Sequence, residues 1–216
     1  MKRISLLVVF IIAITACGKD KKNSPVVDNS KIKPIADTDY ARGFITEAKN
    51  RLTNKEYGEA YRYVYIMVKN YPASPHIEET QKLFDEIFKY ADTKDLFKIS
   101  TFLTEEEDYE AAINVLEHIY QKSQKPSVRA DALYYKGLHY ERINRIDDME
   151  KTWMKLSNEF PESSWAAEVL YGLAFTIYQK TNSPEKTKPY LSLLYKRFPR
   201  SKWGLEGKGL EKSWSK

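Results

Sequence analysis

The residues whose chemistry has to be settled first are the single cysteine, the three histidines and one dense acidic run. Cys17 is the only thiol, and it follows Ile14-Thr15-Ala16 at the end of an apolar stretch. A thiol there can serve as a nucleophile, a metal ligand or an acyl acceptor. His76, His118 and His139 lie far apart. None stands in a His-x-x-x-His or Cys-x-x-Cys setting that would build a zinc site or a nucleophile–base pair. Glu105-Glu106-Glu107-Asp108 offers carboxylates to a hard cation, but the same run reads better as a solvated helix start favoured by the helix dipole. Gly204, Gly207 and Gly209 lack the spacing of a phosphate-cradling loop. No group of residues supplies nucleophile, base and anion hole together, so the chain reads as a non-enzyme, with no cofactor and no metal expected.

The surroundings of Cys17 decide its chemistry. Lys2 and Arg3 give a charged start, and Ile4 to Ile14 is an apolar run without a charge. That run is well short of the roughly 20 residues needed to cross a bilayer core, so it reads as a cleaved export signal over residues 1–16 rather than a permanent span. Ile14-Thr15-Ala16-Cys17 resembles the bacterial lipobox, with Ile14 and Thr15 departing from its commonest residues. The resemblance implies that Cys17 is alkylated by a diacylglyceryl group, becomes the new amino terminus and is acylated in turn with a fatty acid such as palmitate. Several acyl chains, at about 0.8 kcal/mol per buried methylene, hold a protein on a membrane almost permanently. The expected location is a bacterial membrane, most simply the periplasmic face of the outer membrane.

An exported chain without a second cysteine has no disulfide framework and must be stabilised by packing. Its 35 basic and 30 acidic side chains make a mixed, solvated surface that does not argue for nucleic acid. Residues 17–37 are rich in Lys, Asp, Asn, Ser and Pro, too polar to offset the entropy of ordering, and read as a flexible tether. Such a tether reaches on the order of 25 Å.

Residues 38–216 carry an internal repeat. Phe160-Pro161-Glu162-Ser163-Ser164-Trp165 returns 38 residues later as Phe198-Pro199-Arg200-Ser201-Lys202-Trp203, and an earlier copy reads Tyr71-Pro72-Ala73-Ser74. Between copies the apolar residues follow helical spacing. Phe44, Ala48 and Leu52 share one face, and Tyr57, Ala60, Tyr61, Val64, Met67 and Val68 share another. Each proline ends a helix, and Ser74, Ser163 and Ser201 are expected to cap the next one. No stretch alternates as a strand does, so no sheet is expected. The spacing from Tyr57 to Tyr109 exceeds the repeat, and the surplus around residues 76–103 reads as either one long bent helix or two helices, with the capping side chains of Asp92-Thr93 favouring a break there.

Gly137, Tyr140, Met149, Trp153 and Pro161 resemble the tetratricopeptide repeat, which has a small residue midway along its first helix, Tyr three later, an apolar residue early in the second helix, an aromatic four later and a closing Pro. Ala48, Ala60, Val64 and Pro72 fit a further unit, as do Ser100, Tyr109, Ala112 and Leu116, and then Tyr178, Thr187, Leu191 and Pro199. The resemblance implies an all-α solenoid of antiparallel helix pairs, about nine or ten helices in total. It implies a partner-binding groove on the first helix of each unit. By position this assigns Arg42 and Lys49, then Asp131, Tyr134, Glu141 and Arg142, then Thr176, Gln179 and Lys180. Lipobox, tether and repeats together look like the BamD family of lipoproteins, which implies docking to a β-barrel assembly component and to unfolded outer-membrane proteins. Other readings are an envelope adaptor for division (Tol-Pal), secretion or an enzyme complex, and a glycan-binding lipoprotein using exposed Tyr and Trp.

Overall fold

The computed structural model describes residues 38–214; the expected signal over 1–16, Cys17 and the expected tether over 17–37 lie outside the described residues. Ten helices account for nearly all of them, and no strand occurs among the described residues. The chain divides into two compact units, one ending at Glu106 and the other beginning at Glu107.

The first unit holds α1 (Thr38–Thr53), α2 (Tyr57–Asn70), α3 (Ile77–Tyr90) and α4 (Thr93–Glu105). Helix α2 is its centre, packing on α1, α3 and α4. The residues at helical spacing explain why: Ala60, Tyr61, Val64, Met67 and Val68 are all buried, as is Ala48 opposite them on α1. Tyr61 is fully enclosed and meets Phe84, Phe88 and Phe102 edge-on at centroid distances of 5.3, 6.0 and 6.4 Å. Edge contacts of this kind add to the burial of the ring itself. The surplus segment forms two helices. Ala91 is extended (φ −56°, ψ 133°), and the Asp92 carboxylate accepts from the Asp95 amide at 2.9 Å, which starts α4 afresh.

The second unit holds α5 (Tyr109–Lys122), α6 (Pro126–Arg142), α7 (Ile146–Glu159), α8 (Ala166–Thr181), α9 (Pro184–Arg197) and α10 (Lys202–Trp214). Each helix packs on its chain neighbour, and α10 also reaches α8. The position of Gly137 is what lets α6 and α7 approach. The Trp153 ring of α7 fills the space where a Cβ of residue 137 would stand, and its Nε1 donates to the Tyr134 carbonyl at 3.1 Å. The other side of the same ring lies 3.2 Å from a Cβ position on Gly172 of α8, so one tryptophan is wedged between two glycines on two helices.

The repeat is visible in backbone angles. Tyr71, Phe160 and Phe198 end their helices at nearly the same conformation, φ −130 to −131° and ψ 48 to 58°. Three turns match as well: Lys55, Glu107 and Asn144 adopt φ of 60°, 59° and 59°, each just before the next helix's N-cap. The left-handed residue closes off the last carbonyls of the helix it follows. The Glu56 and Arg145 amides donate five residues back, to Arg51 and Tyr140, at 2.8 Å each.

Two of the three expected serine caps behave differently. Ser201 accepts from the Gly204 amide at 3.0 Å and opens α10 as expected. Ser74 and Ser163 instead accept from the amides of His76 and Trp165, two residues on, at 3.3 and 3.2 Å. They brace a turn that precedes the helix, because a further turn of chain lies between serine and helix start.

Candidate partner-binding face

Residues 34 to 36 apart occupy equivalent places on α6 and α8, and their side chains meet in a ladder. Trp165 Nε1 donates to Asp131 at 2.6 Å, Tyr134 Oη to Glu168 at 2.7 Å, Thr176 Oγ1 to Glu141 at 2.7 Å, and Lys180 Nζ to Asn144 at 2.8 Å. Two further contacts link α5 to α7 and its N-cap, where Arg145 pairs with Glu110, 35 positions away, at 3.0 Å, and Tyr120 donates to Glu159, 39 away, at 2.7 Å. A repeat places like residues side by side, so complementary donors and acceptors at matching positions register one unit on the next.

Five of the expected groove residues therefore also serve the fold: Asp131, Tyr134, Glu141, Thr176 and Lys180. Tyr134 is the most committed. Its ring stacks on Trp165 at 4.0 Å between centroids and 16° between planes. Burial, reinforced by the hydrogen bond to Glu168, pushes its phenol well above the ordinary tyrosine range. Thr176 is buried as well. In the first unit Lys49 is an ion-pair partner of Glu79, whose carboxyl that hydrogen bond holds below its usual range, while Arg42 is exposed on α1. Arg142 and Gln179 are exposed on α6 and α8.

Neighbouring positions, which the repeat pattern does not single out, carry apolar surface outward. Tyr135 is 40 % exposed and Phe175 41 %, although both are large and aromatic. Tyr135, Leu138 and Arg142 follow one face of α6, and Tyr171, Phe175 and Gln179 follow one face of α8, at spacings of three, four or seven. Tyr171 stacks on Phe175 at 6.5 Å and meets Trp203 of α10 at 5.0 Å. The signal was present in the sequence as an i, i+4, i+8 series on α8, hidden because its members look like core.

The acidic run is dispersed: Glu105 lies 3.8 Å from Arg62, Glu106 pairs with Lys69 at 2.7 Å, Glu107 takes the left-handed turn, and Asp108 caps α5 by accepting from the Ala111 amide at 3.2 Å. Only its last residue begins a helix, because Glu105 still belongs to α4. His139 is buried against Tyr109 at 5.6 Å, and burial followed by the nearby Arg142 charge holds it below the usual histidine range. Among the described residues no three His, Cys, Asp or Glu side chains gather as a metal site. No described helix is long and apolar enough to cross a membrane. Compared with known protein families and with curated proteins, the chain matches none.

Proposed function

We propose that this protein is a non-catalytic, lipid-anchored scaffold of the bacterial envelope that holds protein partners on the exposed faces of its first-position helices. The single observation that carries the reading is the outward aromatic surface of α6 and α8: Tyr135 and Phe175 stay 40 % and 41 % exposed beside Arg142 and Gln179, although their rings also meet Trp165 and Tyr171. Exposed apolar side chains bordered by polar ones suit a partner-binding surface. Helix-pair repeats of the tetratricopeptide kind suit holding a ligand more than transforming one. The groove residues in the hydrogen-bond ladder then act mostly as the rigid wall behind that surface.

The lipobox-like segment and the repeats favour a role in outer-membrane protein assembly like that of BamD, with a β-barrel assembly component or an unfolded outer-membrane protein as partner. A photoreactive phenylalanine at Tyr135, with Asn29 as control, tests this by crosslinking in the native cell and mass spectrometry. Capture of a β-barrel assembly component from Tyr135 alone supports the reading. Capture of division or secretion proteins retains the scaffold and discards the assembly role, and equal capture from both positions removes the proposed face.

A further inference from the structure

A second site of a different kind lies in the second unit. A cleft of about 430 Å³ opens between the first turn of α6 and the segment joining α7 to α8. Its walls include Ser127, Asp131, Phe160, Glu162, Ser163 and Trp165. That volume is within the range of about 300–1,000 Å³ usual for small-molecule sites.

The aromatic walls are held in advance of any ligand. Trp165 is fixed by the Tyr134 ring stacked on it, by the Tyr135 ring edge-on at 6.4 Å and by its Nε1 bond to Asp131, and it lines the cleft. Phe160 is backed by the Arg129 guanidinium, 5.4 Å from its centroid, and that guanidinium lies 4.5 Å from the Tyr120 ring and donates to its hydroxyl at 2.8 Å. Rigid aromatic walls lose little entropy when a ligand settles on them.

The polar groups are of mixed sign. Asp131, Glu159 and Glu162 bring carboxylates to the cleft, while the amino-terminal ends of α6 and α8 border it with partial positive charge, and Arg129 lies 3.8 Å from Glu159. Such a balance favours neither a simple cation nor an anion. It suits a neutral ring with an apolar face for the indole and a rim of hydroxyls for carboxylates and serines. We infer that this cleft binds a neutral saccharide, with Trp165 as the stacking platform and Glu162 and Asp131 accepting from sugar hydroxyls. The inference is independent of the protein-partner reading.

Indole N–H signals of the protein, labelled with nitrogen-15, report each tryptophan separately. Titration with maltotriose, cellotriose and triacetylchitotriose should move the Trp165 signal saturably for at least one of them, with Kd of about 1 mM, leaving Trp214 in place. Glu162 is exposed, so Glu162→Ala should fold normally and weaken that sugar by about tenfold. No saturable shift with any of the three overturns the proposal. So does a shift confined to Trp203 or Trp214, an unchanged affinity in Glu162→Ala, or tighter binding of trilysine than of every sugar at Trp165.

Discussion

Gly137 and Trp153 occupy one volume between them: the indole of Trp153 sits where any side chain at position 137 would go, and its Nε1 hydrogen-bonds the carbonyl of Tyr134 on the same helix. Trp153 is 3 % exposed and cannot move aside, because Gly172 of α8 closes the other side. Replacing Gly137 by alanine should therefore destabilise the second unit by about 3 kcal/mol or more, despite the better helix propensity of alanine. Gly209, on α10, has nothing within 4 Å of a Cβ position. Gly209→Ala should stabilise by about 0.5–1 kcal/mol. Urea unfolding of both variants gives the comparison, and equal midpoints would contradict the packing account.

The ladder can be weighed by a double-mutant cycle. Thr176 is buried and its hydroxyl reaches Glu141, so Thr176→Val strands a carboxylate oxygen that Glu141→Leu removes. The single changes should cost about 1–2 kcal/mol each, and the double change clearly less than their sum. Additive losses would mean the pair contributes nothing of its own.

Alkaline titration should unfold the second unit through its tyrosines. Burial, with the Glu168, Glu150 and Glu211 hydrogen bonds, raises the phenols of Tyr134, Tyr190 and Tyr195 above the unfolded value. A raised folded value means stability is fully present below the unfolded tyrosine pKa of about 10 and declines above it, because the unfolded chain loses protons first. Tyr134→Phe should flatten this decline while leaving stability near neutral pH lowered by about 1 kcal/mol. An unchanged slope above pH 10 would show that Tyr134 is not one of the groups responsible.

Left-handed residues at turns between helices are a reservoir of strain that glycine can release. Lys55 and Glu107 pay the steric cost of positive φ, about 1–2 kcal/mol for most residues, whereas Asn144 tolerates the region better. Lys55→Gly and Glu107→Gly should each raise stability by about 0.5–1 kcal/mol. Asn144→Gly should gain nothing, since it also loses the bond from Lys180. Thermal midpoints for the three variants decide the order.

Cys17→Ser tests the anchor. If Cys17 carries the lipid, the variant should lose palmitate labelling and leave the membrane fraction, while the purified variant keeps the circular dichroism of the parent. Retention in the membrane without label would mean that another segment anchors the chain.

Much of this protein follows from sequence because its regularities are local. Helical spacing of Ala60, Tyr61, Val64 and Met67 and the breaking prolines are short-range facts, and each reappears as helix or turn, whereas the wedging of Trp153 against Gly137 came from the packing of two helices. At Asp92-Thr93 the sequence left one bent helix or two open, and the capping side chains that favoured a break act there, with the Asp92 carboxylate on an amide three residues away. Tertiary structure alone decided which side chains face one another across units of the repeat. Asp131, Tyr134, Glu141 and Thr176 look like a free groove wall until α8 is placed beside α6, where their partners stand 34 or 35 positions away. Hydrogen bonds and ring stacking depend on distance and angle between helices, which no spacing along one helix contains. For the same reason the outward position of Tyr135 and Phe175, and the cleft beside Trp165, emerged only once neighbouring helices had claimed the residues next to them.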